Sequence, residues 1–119
     1  MSYFEFQSIL NKGEIMARVT SAFWWTVQLG KELDFIETCS RAKKIHMRLG
    51  AENAQLGRVN FGDNAGQFIY TLTFASGEVY GKFMDAGATD SEWMALWAES
   101  VKKQSGTMSN SRLINTIDI

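Results

Sequence analysis

The stretch EIMARVTSAFWWTVQL, residues 14–29, carries two hydrophobic periods at once. Ile15, Met16, Val19, Phe23 and Val27 share one face of a helix, whereas Val19, Ser21, Phe23, Trp25, Val27 and Leu29 alternate as in a strand. Its sixteen residues suit four helical turns and would make an unusually long strand, so length favours a helix, with a strand as the alternative. On a helix Trp24 and Trp25 point about 100° apart and cannot share one narrow buried stripe. An exposed Trp24 or Trp25 would therefore mark an interface.

Upstream, residues 2–10 open with Ser2 and Glu5 at capping-box spacing and place Tyr3, Phe6 and Leu10 on one face, which predicts a short first helix. Downstream of Gly30, residues 31–49 read as a further helix with Phe35, Ile36, Cys39, Ala42, Ile45, His46 and Leu49 on its apolar side. Glu32, Asp34 and Glu37 lie toward its N-terminal end and Arg41, Lys43, Lys44 and Arg48 toward its C-terminal end, an order that suits the helix dipole.

From Gly57 the period changes to two. Residues 58–61 read as a short strand, 62–66 as a turn and 67–75 as a second strand alternating Phe68, Tyr70, Leu72 and Phe74 against Gln67, Ile69, Thr71 and Thr73. Ser76-Gly77 reads as a hairpin turn into a third strand, 78–84, with Val79 and Phe83 on the core face and Tyr80 on the outer one. A final helix begins at Thr89, in a capping box with Glu92, and aligns Trp93, Leu96, Trp97, Ser100, Val101 and Gln104. The expected architecture is thus α+β: N-terminal helices, a three-stranded antiparallel meander and a C-terminal amphipathic helix packed on the sheet. Residues 1–106 form one domain, and 107–119 a tail that either docks as an edge strand or stays mobile.

Composition narrows the chemistry. The 119 residues include one histidine, one cysteine and no proline, where average usage of about 5% would give roughly six prolines. Cys39 and His46 are separated by about 10 Å of helical rise, too far for a thiolate-imidazole pair, so Cys39 reads as a small buried hydrophobe and His46 as a satisfied or partly exposed imidazole. No glycine-rich phosphate loop occurs, and Asp63 and Asn64 suit a turn better than a calcium loop. The carboxylates Glu78, Asp85, Asp90 and Glu92 each have a capping or surface explanation. No catalytic residue, metal or cofactor is expected. The net charge of −1 exerts no overall pull toward nucleic acid or membrane, and without a long apolar run or a leader pattern the chain reads as soluble and cytoplasmic.

What remains is binding. Arg41, Lys43, Lys44 and Arg48 make a basic stripe that is either a solvated helix face or a contact surface, and Trp24 and Trp25 are the other candidates. A protein partner is expected first. Nucleic acid reached through the stripe is the alternative, with self-association as a third. By analogy of size and economy, with no motif behind it, these features fit a small non-enzymatic inhibitor of a macromolecular partner, of the phage or mobile-element type such as an anti-CRISPR, or else a nucleic-acid-binding regulator, a toxin-immunity protein or an assembly subunit.

Overall fold

The computed structural model describes residues 17–117 and 119; the helix expected at 2–10 lies outside them. Among the described residues the elements run β1 (Val19–Val27), α1 (Glu32–Arg48), β2 (Asn53–Arg58), β3 (Phe68–Phe74), α2 (Gly77–Gly87), α3 (Ser91–Lys103) and β4 (Gly106–Asn115). One four-stranded antiparallel sheet results, in the order β2-β3-β1-β4. β2 and β1 both run antiparallel to β3, and β3 and β4 both run antiparallel to β1. Each β-helix-β passage therefore skips one strand, and the two passages interlock.

The expectation of helix at 14–29 is corrected: Val19–Val27 is a central strand. Valine, threonine and aromatics favour the pleated surface, and pairing on both edges satisfies a backbone that the helix reading would have satisfied internally. The alternation then separates the paired indoles completely. Val19, Ser21, Phe23 and Trp25 stand opposite Phe74, Leu72, Tyr70 and Phe68 on the face that the helices cover, whereas Trp24 stands opposite Ile69 on the other face.

The third strand of the expected meander is also corrected, since residues 77–87 form α2. Ser76 does not turn a hairpin; it is extended at φ −161° and its hydroxyl accepts from Val79 N–H at 3.2 Å, an N-cap. Val79 and Phe83 are four apart, which serves a helix face as well as a strand face, and the cap decides between them. The sheet has four strands, not the expected three, because Val19–Val27 joins it and Gly106–Asn115 supplies an edge strand beside β1. Two boundaries move as well. β2 is Asn53–Arg58, ahead of the expected 58–61, and the N-cap of α3 is Asp90, whose carboxylate accepts from Trp93 N–H at 2.9 Å.

α1 lies across the sheet, and Ala42 and Ile45 join Val19, Ala54, Leu72 and Phe74 in the core. A bulge in β4 adjusts what that core meets. Trp24 pairs with Asn110 but Trp25 with Met108, so Ser109 is skipped and its hydroxyl donates to the Trp24 carbonyl at 3.2 Å. The skip turns Met108 to the helix side, where Ser109 would otherwise face. Gly106, next along, has no room for a side chain: a Cβ there would lie 2.9 Å from the Phe35 ring. Phe35 is buried between Trp25 and Phe68, each with its ring centroid 5.5 Å away, and cannot swing aside. Gly106→Ala is accordingly expected to cost about 1–3 kcal/mol by overpacking, measurable as a lower urea midpoint with unchanged m-value.

Candidate functional site

Between the helix-facing side of the sheet and the three helices lies an apolar cavity of about 380 Å³. β1 contributes Phe23 and Trp25, β3 Tyr70 and Leu72, α2 Phe83 and Met84, α3 Trp93, Leu96 and Trp97, and β4 Gly106 and Met108. α1 contributes one long stripe: Phe35, Thr38, Cys39, Ala42, His46 and Leu49. Trp97 and Met84 are about half exposed, which puts them at the mouth. The volume lies in the range of small-molecule sites, and few polar groups interrupt the wall.

One polar pair stands out in that wall. His46 Nδ1 and Tyr70 Oη are 2.7 Å apart, and both side chains are buried. The imidazole ring is tilted against Trp93 at 4.5 Å between centroids, with Phe83 at 5.6 Å. Burial holds the His46 pKa down to about 4, so the ring is neutral at pH 7. Burial also raises the Tyr70 phenol, and then the nearby Cys39 raises it further. Cys39 itself is pushed up to about 12 by desolvation and stays a thiol. A neutral imidazole bonded through Nδ1 has Nε2 left for another partner. His46 lines the cavity, and Nε2 is the ring nitrogen left once Nδ1 is taken by Tyr70.

The buried imidazole makes stability depend on pH. The folded pKa of about 4 lies below the ordinary 6.5, so between those values the unfolded chain binds more protons. This contribution is complete above pH 6.5 and is lost as the pH falls toward 4, with a total of about 3 kcal/mol. Urea unfolding at pH 7 and pH 4.5 should show the loss in the wild type, and much less of it in His46→Gln.

The residues singled out from the sequence are distributed elsewhere. Arg41 makes a two-pronged bond to Glu99 at 2.9 and 2.8 Å, and Arg48 reaches Asp90 at 2.8 Å and Glu92 at 3.2 Å. These two arginines tie α1 to α3. Glu99 is held down to about 2 by the Arg41 bond first and by Lys103 next. Lys43 and Lys44 are exposed, and Lys43 borders a groove between α1 and β2. Trp24 sits on the outer face of the sheet with the Arg112 guanidinium 5.7 Å from its ring, whereas Trp25 lines the cavity. Sequence reasoning passed over His46 and Tyr70 as a pair. The available signal was a polar tip on the apolar side of each of two elements, α1 and β3.

This is a split β-α-β domain enclosing an apolar site with one buried, hydrogen-bonded imidazole-phenol pair. Neither a protein-family model nor a curated protein sequence matches the chain. Solved structures do. SnoaB, a cofactor-independent oxygenase from Streptomyces nogalater, superposes with a TM-score of 0.63 at 14% identity, over 86% of this chain and 95% of that one. A NIPSNAP family protein from Agrobacterium tumefaciens gives 0.62 at 12% identity, over 86% and 93%. A DABB family protein with a ferredoxin-like fold from Mesorhizobium loti gives 0.58 at 13% identity, over 87% and 99%. The chain has this ferredoxin-like α+β fold.

These likenesses overturn the expectation of a phage-type or anti-CRISPR inhibitor, because the solved proteins that share this shape include an oxygenase, a DABB protein and a NIPSNAP protein. The expectation of a non-enzymatic module gains no support from the fold, which is shared with an enzyme. Among the described residues no helix is long and apolar enough to cross a membrane.

Proposed function

We propose that this protein takes an apolar carbonyl compound with an acidified C–H into the cavity and oxidises it with dioxygen, His46 acting as the base. The observation that carries this reading is the buried His46-Tyr70 pair in the wall of an apolar cavity of about 380 Å³. SnoaB, of the same fold, is a cofactor-independent oxygenase, which adds weight.

In the tautomer with the proton on Nδ1, that N–H donates to Tyr70 Oη and Nε2 holds the free lone pair. Nε2 removes a proton from the substrate carbon, leaving a resonance-stabilised carbanion. That carbanion supplies the electrons a bound cofactor would otherwise provide: one passes to dioxygen, and the two radicals combine to a peroxide. Return of the proton and loss of water leave a new carbonyl, so CH2 and O2 become C=O and H2O. Burial alone makes His46 a weak base. A carbanion forming beside it compensates the imidazolium charge in a low dielectric, where such pairing is strong.

The test is dioxygen uptake on adding a C–H acid such as a 2,4-alkanedione, with a chelator present and no flavin or nicotinamide added. One dioxygen consumed per substrate is the expected result. Tight binding of the dione without uptake would sink the oxygenase reading.

A further inference from the structure

His46 is ringed by aromatic side chains from three elements. Trp93 of α3 is nearest, its ring centroid 4.5 Å from the imidazole and the two planes inclined at 50°. Tyr70 of β3 and Phe83 of α2 follow, each at 5.6 Å. Among the described residues no side chain charged at pH 7 lines the cavity. Its titratable groups besides His46 are Cys39 on α1 and Tyr70 on β3, and β1, β4, α2 and α3 contribute none.

A proton taken up by His46 therefore makes a cation with no carboxylate in the wall beside it. Besides the carbanion itself, the negative faces of the surrounding rings are what can offset that charge. An aromatic ring attracts a cation held within about 6 Å of its centroid, and indole does so most strongly. Trp93 is both the nearest ring and the one indole of the three.

Trp93 is also the ring most firmly placed. Asp90 caps α3 by accepting from the Trp93 N–H at 2.9 Å, and the same carboxylate oxygen accepts from the Arg48 guanidinium at 2.8 Å. Arg48 lies two residues beyond His46 on α1. One carboxylate thus ties the backbone of Trp93 to the turn of helix that carries the imidazole. Phe83 has no such tie: among the described residues the ion pair of α2, Lys82 with Glu78, stays within that helix, so packing alone holds the ring.

From this arrangement we infer that Trp93 is a positioning residue for the base: its indole receives the positive charge when His46 takes a proton, and the Arg48-Asp90 pair holds the indole there. The use of that charge in turnover rests on the oxygenase reading above, whereas the contact between imidazolium and indole rests on the geometry alone.

Fluorine withdraws electron density from the face of an indole and leaves its shape and burial nearly unchanged, which separates this role from packing. The chain has one histidine, so a single imidazole signal reports its protonation. The protein is produced with tryptophan, 5-fluorotryptophan or 5,7-difluorotryptophan, and the imidazole of the folded form is followed by NMR as the pH is lowered. The protonation midpoint should fall stepwise, by about 0.1–0.2 pH unit per fluorine. An unchanged midpoint would mean that Trp93 only packs, and would overturn the inference.

Two sets of variants locate the effect. Trp93→Phe should abolish the dependence on fluorine, because Trp24 lies on the outer face of the sheet and Trp25 and Trp97 stack on Phe35 and Trp93 instead. A dependence that survives in Trp93→Phe would overturn the assignment to Trp93. Arg48→Ala should reduce the dependence to less than half, and Arg48→Lys should restore most of it. Comparing fluorinated with unfluorinated protein of the same variant cancels the change of charge at position 48. A dependence unchanged in Arg48→Ala would remove Arg48 and Asp90 from the inference. The rate of dioxygen uptake should fall in the same order as the midpoint. A fluorine-dependent midpoint in protein that consumes no dioxygen would leave the inference standing and remove the oxygenase reading. Uptake with a midpoint indifferent to fluorine would do the reverse.

Discussion

His46→Gln should lower the rate of dioxygen uptake by at least 100-fold while the protein still folds and binds the dione. General-base catalysis by a positioned side chain contributes about 10²–10⁴-fold, and glutamine cannot take up a proton. It does retain polar atoms able to hydrogen-bond Tyr70, which in the wild type lies 2.7 Å from Nδ1. The volume change is small, so the contacts with Trp93 and Phe83 are kept in kind. The expected signature is a fall in kcat with little change in the dissociation constant measured by tryptophan quenching. A variant that keeps more than a tenth of the wild-type rate would show that His46 is not the base. Tyr70→Phe is the companion variant. It leaves Nδ1 without its partner inside the protein, and an unsatisfied buried group costs about 1–3 kcal/mol.

Phe74→Ala should lower stability by about 3–5 kcal/mol, a large part of the roughly 5–15 kcal/mol that holds a small domain folded. Phe74 has no exposed surface. Its ring meets Phe83 at 4.7 Å and Tyr80 edge-on at 5.2 Å, both from α2. Removing it opens a void where the sheet meets α2, and neither neighbour can fill it without leaving its own contacts. Urea unfolding would read this as a much lower midpoint with the same m-value. A loss under 1 kcal/mol would mean that α2 closes down onto β3, contrary to the packing described.

α1 was readable from its own residues because everything that specifies it is local: a stripe of apolar positions, acidic residues toward one end and basic ones toward the other. β3 was readable for the same reason, with Phe68, Tyr70, Leu72 and Phe74 buried in alternation. α3 was nearly so, its cap displaced by one residue from Thr89 to Asp90. Each of these elements buries one face, and period alone reports that.

β1 and α2 were misread because their local signals are balanced. The 14–29 stretch fits either period, and the strand prevails only once β3 and β4 flank it and share their hydrogen bonds. α2 turns on a single hydroxyl of Ser76 whose competing use was a hairpin turn.

The site shows the same division. The residue types were visible in the sequence: one histidine on the apolar side of a helix, one tyrosine on the apolar side of a strand, and an excess of aromatics. Their distance was not, because 24 residues separate His46 from Tyr70 and only the interlocked strand order brings them to 2.7 Å. The arginines make the same point in reverse. Arg41 and Arg48 read as a free stripe along one helix, until Glu99 and Asp90 arrive from a helix more than 40 residues away. Sequence determined which faces are apolar and where the charges lie along each element, since period and dipole act over a few residues. Tertiary structure decided which of those faces meet, and so whether an aromatic packs the core, lines a cavity or faces outward, because that follows from long-range pairing.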